Sequence, residues 1–400
     1  MKRIILSFAL VALLVLGANA QKAAKTAPHA VRMLKTGGAQ RTEIILPQVN
    51  GYNVYKGDFH VHTAYSDGTV NPSGRVSEAW LDGLDIIAIT DHYENHSGVR
   101  KFLKVTAPYN EDGHPTEYKN TTKVGSVKID FNAIHAEAQT QLEKAGYPML
   151  LIKGCEMARN AKTHGHFNCL FLKDINGLYS KDMAEAFRKV KAQGGLIVHN
   201  HPAWRRDTSD KTPFHEQVYG EGLIDGVEVV NGSTFYPHIV KRCIDEKLTM
   251  FANTDIHGVS GYTRMPVTTH RTMTLVFAKE LTENSVKNAI LKHRTLAYTS
   301  GNVIGKESLL ADFLNASLDC RIVSENKEKE TRKFQITNHS SISYTLRRGK
   351  KTYTVAPFKS IYVDFGKEKN SKKYAAPKFT VDNMWHVDYK HPVVTLDIDL

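Results

Sequence analysis

The chain has 400 residues, of which 41% are hydrophobic and 24% charged, and its formal net charge at pH 7 is +12. This length predicts one large domain and one smaller domain, with enough apolar residues for a sizeable core. The basic excess favours anionic ligands, although a solvated basic surface explains it equally well. No Lys/Arg tract is interleaved with aromatic residues, so the composition indicates no specific nucleic-acid-binding module.

Residues 1–20 have the pattern of a secretory signal peptide. Lys2 and Arg3 precede an apolar segment at 4–16, and Ala18-Asn19-Ala20 forms a small-residue cleavage site. The apolar segment is short for a membrane span, and no later segment has transmembrane character. The sequence therefore predicts an exported, periplasmic protein without a transmembrane anchor, and an uncleaved N-terminal anchor is the alternative. Residues 21–50 form a polar lead-in.

Strand-like and helix-like segments alternate between residues 51 and 305. The predicted strands lie at 54–62, 85–90, 149–153, 166–172, 195–199, 226–230, 250–253, 272–277 and 296–299. Helices are predicted near 73–81, 129–145, 182–193, 236–247 and 282–293. This alternation predicts an α/β fold with a parallel sheet, and the number of strands favours a barrel. Residues 93–128 interrupt this alternation, and so long a loop predicts an insertion over the strand ends that could act as a lid.

The pattern changes in the last part of the chain, at residues 311–400. Short β-like segments are separated there by Gly, Asn, Pro and Lys turns, which predicts a small C-terminal β-sandwich domain. The chain has four cysteines without C-x-x-C spacing, and we expect buried free thiols. Pairing of Cys155 with Cys169 stays open.

Residues of metal-ligand type recur where predicted strands end. The motifs are Gly57-Asp58-Phe59-His60-Val61-His62, Thr90-Asp91-His92, Gly154-Cys155-Glu156, His199-Asn200-His201-Pro202 and Thr254-Asp255-Ile256-His257. Residues two apart in a strand share a face, so each pair, including His164 and His166, is expected to point one way. Such side chains at adjacent strand ends can enclose divalent metal ions. The alternative is a set of scattered core and surface histidines.

Three acidic residues have more specific predicted roles. Asp67 lies in the turn Tyr65-Ser66-Asp67-Gly68, and its position just after His62 makes it a candidate ligand as well as a turn residue. Glu156 ends an apolar strand, and a carboxylate there can bridge two metal ions. Asp91 is predicted to orient a metal-bound imidazole.

Together these motifs resemble the PHP superfamily, named for polymerase and histidinol phosphatase, over about residues 52–300. The resemblance implies a distorted (β/α)7 TIM-like barrel with two or three divalent ions. It implies a first site of His60, His62, Glu156 and Asp255, a second of Glu156, His166 and His201, and a third of Asp67, His92 and His257. Asp67 stands where some members carry His. His164 and His199 remain alternatives to His166 and His201, and the ligand types suit Mn, Zn and Fe alike.

The resemblance implies hydrolysis of a small phosphorylated substrate by a metal-bridged hydroxide at a trinuclear site. Arg205 and Arg206 are predicted to clamp the phosphate, with a solvated basic loop as the alternative. His257 or a bound water could protonate the leaving oxygen. The signal peptide and β-rich tail further resemble exported PHP phosphodiesterases, which favours a diester substrate. A phosphomonoesterase, a metal-dependent amidohydrolase and a non-catalytic metal-loaded binding protein are the alternatives, and the oligomeric state is open.

Overall fold

The computed structural model describes residues 40–93, 130–260, 270–367 and 373–398, together with the backbone of 103–105 and 118–120. The predicted signal peptide and most of the lead-in lie outside these residues. Most of the predicted insertion at 93–128 also lies outside them, and the part that is described forms two short antiparallel strands. Among the described residues, no helix has the length and hydropathy needed to cross a membrane.

The described strands are β1 (Asn53–Asp58), β2 (Ile86–Ile89), β3 (Leu103–Val105), β4 (Tyr118–Asn120), β5 (Leu150–Ala158), β6 (His166–Leu170), β7 (Leu196–His199), β8 (Gly226–Asn231), β9 (Thr234–Phe235), β10 (Thr249–Asn253), β11 (Met273–Ala278), β12 (Thr295–Thr299), β13 (Asn302–Ile304), β14 (Leu318–Asn326), β15 (Thr331–Asn338), β16 (Tyr344–Arg348), β17 (Lys351–Val355), β18 (Ser360–Gly366), β19 (Lys378–Val381), β20 (Met384–Trp385) and β21 (Val393–Thr395). The helices are α1 (Pro72–Leu81), α2 (Phe131–Ala145), α3 (Met183–Ala192), α4 (Pro213–Gly220), α5 (Pro237–Asp245), α6 (Glu283–Leu291) and α7 (Glu307–Ser317).

One large curled sheet organises the first three quarters of the chain. Its strand order is β10-β8-β7-β6-β5-β2-β1-β11-β12-β13-β20, and β9 pairs with β8. The pairs β1/β2, β2/β5, β7/β8 and β8/β10 are parallel. The pairs β5/β6, β6/β7, β1/β11, β11/β12 and β12/β13 are antiparallel. The prediction of a mixed α/β fold is confirmed, but the sheet is not uniformly parallel.

The curl brings two strands that are distant in the sheet order together at their carboxyl ends. Beyond β1 and β10, the Asp255 amide donates to the His60 carbonyl at 2.9 Å, and the His62 amide donates to the Ile256 carbonyl at 3.1 Å. The residues that follow β1 and β10 are therefore held side by side. This closure places the His60-x-His62 and Asp255-x-His257 segments next to each other.

Local sequence explains the helices that cover the sheet. Asn71 caps α1 by accepting from the Gly74 amide, and Asp130 caps α2 in the same way. Gly146 ends α2 in the left-handed conformation, with φ of 66°, which glycine adopts without a Cβ clash. The strands β2, β7, β10, β11 and β12 are buried at every residue, as expected for strands covered on both faces.

The C-terminal region is rich in strands, as predicted. It contains a three-stranded sheet, β14-β15-β18, and a four-stranded sheet, β17-β16-β19-β21. Phe365 packs against Phe334 and Phe379, with ring centroids 5.3 and 5.5 Å away, so the two sheets share apolar contacts. Strand β20 joins the large sheet through β13, and the described residues from 41 onward belong to one compact unit. The division into domains at 51–305 and 311–400 stays a prediction.

Candidate metal centre

The nine predicted metal ligands lie in one cluster at the edge of the curled sheet where its parallel strands end. Their donor atoms form four overlapping groups, and within each group the atoms lie within 4.8 Å of one another. The groups are His62, Asp67, His92 and His257; His60, His201 and Asp255; His60, His62 and Glu156; and His92, Glu156 and His166. Residues drawn from six separate segments of the chain therefore converge on one small volume.

Glu156 lies at the centre of the cluster and is completely buried. Its two oxygens lie 2.7–3.5 Å from ring nitrogens of five histidines: His60, His62, His92, His166 and His201. The Asn200 amide donates to Oε1 at 2.8 Å and fixes the carboxylate. A carboxylate in this position can contact ions on more than one side.

The contact between Glu156 and His92 indicates that a cation fits between these side chains. His92 Nδ1 and Glu156 Oε2 are both buried and 2.7 Å apart, yet neither atom has a hydrogen bond of acceptable geometry. Buried polar atoms without partners are rare and require an explanation. A metal ion bound by the lone pairs of both atoms would explain the missing hydrogen bonds. Imidazole nitrogens and carboxylate oxygens are ligands that suit divalent metals.

Asp255 and Asp67 occupy opposite parts of the cluster. Asp255 Oδ1 lies 3.2 Å from His60 Nε2 and 3.1 Å from His62 Nε2. Asp67 Oδ1 lies 3.1 Å from His257 Nε2, and Asp67 Oδ2 lies 3.3 Å from His92 Nε2. Asp67 is thus one of the clustered residues rather than an isolated turn residue.

Burial and neighbouring charges shift the pKa values of residues in the cluster. Burial opposes ionisation of Asp67, but hydrogen bonds with His257 and His92 hold the pKa of Asp67 well below its usual range. Burial likewise disfavours a charged His60, but Asp255, Glu228 and Glu156 raise the pKa of His60 well above its ordinary value. The clustered carboxylates therefore favour cations beside them, whether protons on the histidines or bound metal ions.

The structure distinguishes His166 from its alternative His164, and His201 from its alternative His199. His199 points away from the cluster, where its Nδ1 lies 2.8 Å from the Tyr219 hydroxyl and its ring stacks on Phe167 at 4.6 Å. His164 packs on Phe214, with ring centroids 4.5 Å apart. The expectation that both members of a pair point one way is therefore wrong for His164/His166 and for His199/His201, whereas His60 and His62 do converge. Strand β7 ends at His199, and His201 has φ of 25°, so the alternation stops before His201.

We expect His201→Ala to lose bound metal and His199→Ala to retain it. The His199 ring is almost fully buried in an aromatic cluster, so its removal should instead destabilise the fold by about 1–3 kcal/mol. Elemental analysis gives the metal content of each purified variant, and thermal unfolding gives its stability. Loss of metal from His199→Ala with full occupancy in His201→Ala would contradict the assignment.

Glu228 supports the cluster and escaped the sequence analysis. It is completely buried in β8. Oε1 lies 2.8 Å from His60 Nδ1 and accepts from Asn253 Nδ2 at 3.0 Å. Oε2 accepts from the His201 amide at 2.8 Å and from Asn231 Nδ2 at 2.9 Å. A lone carboxylate within the apolar strand Gly226-Val227-Glu228-Val229-Val230 is the signal that could have identified it.

Asp91 was predicted to orient an imidazole, but the Ser66 hydroxyl lies between its carboxylate and the ring of His62. It accepts from the Thr63 amide at 2.6 Å and from the Ser66 hydroxyl at 2.5 Å. The Ser66 hydroxyl in turn lies 3.3 Å from His62 Nδ1. Asp91 therefore fixes the loop that carries His62 and Asp67, whereas Glu228 makes the direct contact with an imidazole.

A cavity of about 440 Å³, here called the metal cavity, opens over the cluster, and Trp204 and Arg205 complete its wall. The Arg205 guanidinium stacks on the Trp204 ring, 4.4 Å from its centroid. The neighbouring Arg206 donates instead to the carbonyls of Pro202 and Asp210 and does not line this cavity. The structure thus separates the two predicted phosphate-binding arginines.

Comparisons with known proteins agree with this geometry. The model of the PHP domain family matches residues 58–189. The chain is similar to a two-domain protein from Bacteroides vulgatus ATCC 8482 that contains a predicted PHP-like metal-dependent phosphoesterase. The two are 33% identical, with 90% of this chain and 99% of that chain covered, and the TM-score is 0.78.

Two more distant similarities have low TM-scores. A putative metal-dependent phosphoesterase from Bifidobacterium adolescentis is 15% identical over 59% of this chain and 96% of its own, with a TM-score of 0.35. An amidohydrolase from Chromobacterium violaceum is 14% identical over 51% of this chain and 88% of its own, with a TM-score of 0.34. No curated protein sequence matches the chain. From the PHP domain match and the Bacteroides similarity, the chain belongs to the family of PHP-like metal-dependent phosphoesterases.

Proposed function

We propose that this protein is a phosphodiesterase that hydrolyses small phosphodiesters at a site for three divalent ions. The observation that carries the proposal is the convergence of nine imidazole and carboxylate side chains, centred on buried Glu156, beneath an open cavity. Divalent ions held there would lower the pKa of a coordinated water and neutralise charge on the phosphate. Mn, Zn and Fe all suit these ligands.

The residues of the metal cavity would bind and orient the substrate. Arg205 has no ion-pair partner among the described residues, so its guanidinium is available to a phosphate oxygen through two parallel hydrogen bonds. Trp204 packs beside His166, with ring centroids 4.9 Å apart, and is 41% exposed. The exposed part of its ring suits an apolar or aromatic ester group. Arg206, which donates to backbone carbonyls, would instead hold the loop that carries Trp204.

The two roles predicted for His257 compete, and we propose that it is a metal ligand. Its Nδ1 lies 2.8 Å from the Asp255 carbonyl, which leaves Nε2 as the nitrogen that faces Asp67. A ring that donates through Nδ1 to a carbonyl and binds an ion through Nε2 has no proton on Nε2 to give to a leaving group. The alcohol oxygen that leaves phosphorus would therefore take its proton from solvent.

Several finer features belong to the same proposal. Residues 1–20 would direct export to the periplasm, and the curled sheet would be a distorted (β/α)7 barrel. The C-terminal sheets, β14-β15-β18 and β17-β16-β19-β21, would form a β-sandwich domain. The amidohydrolase alternative has less support, because Lys153, the lysine nearest Glu156 in the sequence, donates to the exposed Lys173 carbonyl at 3.2 Å and lies outside the metal cavity.

Metal content and ester selectivity together test the proposal. The purified protein would be analysed for metal and assayed with bis(p-nitrophenyl) phosphate, p-nitrophenyl phosphate, a matched triester and a p-nitroanilide amide. We expect the diester to have the highest kcat/KM and chelation to abolish its hydrolysis. Preference for the monoester or the amide would favour the corresponding alternative. A full metal complement without hydrolysis of any of these would favour a binding protein.

A further inference from the structure

A second cavity of about 440 Å³ adjoins the metal cavity, and Asp255 and His257 line both. We call it the second cavity. Its remaining wall includes Ser233, in the turn between β8 and β9, and Ser300, which follows β12. A phosphodiester carries two ester groups on one phosphorus atom. A phosphate beside Asp255 and His257 could therefore extend one ester group into each cavity.

Several groups that form hydrogen bonds line the second cavity. The hydroxyls of Ser233 and Ser300 have no hydrogen-bond partner among the described residues, and both residues line the cavity. His270 also lines it, and its Nε2 lies 3.3 Å from the Ser341 carbonyl. Donation through Nε2 leaves Nδ1 as an acceptor. The wall thus offers two hydroxyls and an imidazole to a ligand that both donates and accepts hydrogen bonds.

The charges around the second cavity favour an uncharged ligand group. Arg271 lines the cavity, but its guanidinium is paired with buried Asp58 and lies 2.8 Å from Asp82 Oδ2. These two carboxylates offset its charge, so the described residues of the wall leave little positive charge to attract a second phosphate. Burial lowers the pKa of His270, so this ring is neutral near pH 7. The metal cavity differs, because Trp204 and the unpaired Arg205 line it.

We propose that the second cavity binds one ester group of the substrate, and that this group is a polyhydroxylated alcohol such as glycerol or a sugar. The inference rests on the proposed phosphodiesterase function. In the reaction, an oxygen from water forms a bond to phosphorus and one ester P–O bond breaks. The electron pair leaves with the alcohol oxygen, which takes a proton from solvent. The products are a phosphomonoester and an alcohol.

Equilibrium binding tests the second cavity without requiring turnover. Calorimetry on the Mn²⁺-loaded protein, at a temperature low enough that neither ester is hydrolysed during the titration, would compare diglyceryl phosphate with dimethyl phosphate, which has the same charge and lacks the hydroxyls. We expect diglyceryl phosphate to bind about tenfold more tightly, as one or two additional hydrogen bonds would give. Ser233→Trp should fill the cavity and remove this preference. Ser324→Trp, on exposed β14, is the matched control and should retain it.

Two results of these binding measurements would contradict the proposed role of the second cavity. Equal affinity for the two diesters in the wild-type protein, or an unchanged preference in Ser233→Trp, would overturn the assignment of the second cavity. Circular dichroism of both variants establishes that they are folded, and Ser233→Ala provides a smaller change that should lose part of the preference. If no phosphoester is hydrolysed but the tenfold preference is present, the proposed function fails while the second cavity stands.

Discussion

Glu156→Gln is expected to lower phosphodiester hydrolysis by at least about 10³-fold, which corresponds to roughly 4 kcal/mol of transition-state stabilisation. The substitution conserves shape but replaces the negative charge shared among five histidines. One of its two oxygens becomes an amide nitrogen, which cannot bind a metal ion. Because the carboxylate contacts members of each proposed ligand set, its loss should reduce occupancy at more than one position.

The measurement pairs kcat/KM on bis(p-nitrophenyl) phosphate with metal stoichiometry by elemental analysis. Glu216→Gln is the matched control, because its side chain is 68% exposed in the first turn of α4. The control should keep both activity and metal. A Glu156→Gln protein with its full metal complement and an activity within about tenfold of wild type would refute a central role for this carboxylate.

The alternation of strand-like and helix-like segments along the sequence predicted most of the α/β fold. Runs of buried apolar residues located β2, β7 and β10 to within a few residues, because strands covered on both faces have a continuous apolar signature. The direction of pairing was not predictable in this way. Strand β6 runs antiparallel to both of its neighbours, which depends on the turn at 159–165 rather than on periodicity. Helix α4 was missed because it is short and only partly apolar.

The backbone conformation at individual residues explains which side-chain directions in the site could be predicted. His60 and His62 lie together in the cluster, as alternation predicts, because both follow β1 and Val61 between them pairs with Ile256 as a strand residue would. His201 departs from this rule through its positive φ, and Asp255 has φ of 54°. Backbone in this region is costly for residues other than glycine, so the surrounding contacts must hold it. Those contacts come from distant parts of the chain and leave no local sequence signal.

Glu228 supplies one such distant contact, and its replacement by Gln is expected to weaken metal binding by about 10–100-fold. A glutamine oxygen can still accept from His60 Nδ1. The amide nitrogen would then face the His201 amide and Asn231 Nδ2, both of which are donors, so two buried hydrogen bonds are lost. This mismatch should also lower the free energy of unfolding by about 1–3 kcal/mol. His201 would lose the contact that fixes its backbone.

A structural role alone would lower stability without changing metal affinity, so both must be measured. Asp225→Asn is the matched control, because Asp225 pairs with Lys191 at 2.8 Å and accepts from the Ile197 amide outside the metal cavity. We expect the control to reduce stability and leave the Mn²⁺ affinity from calorimetry unchanged. If Glu228→Gln only reduces stability in the same way, Glu228 is a packing residue. If it weakens Mn²⁺ binding at equal fractions of folded protein, the contact with His60 positions that ligand.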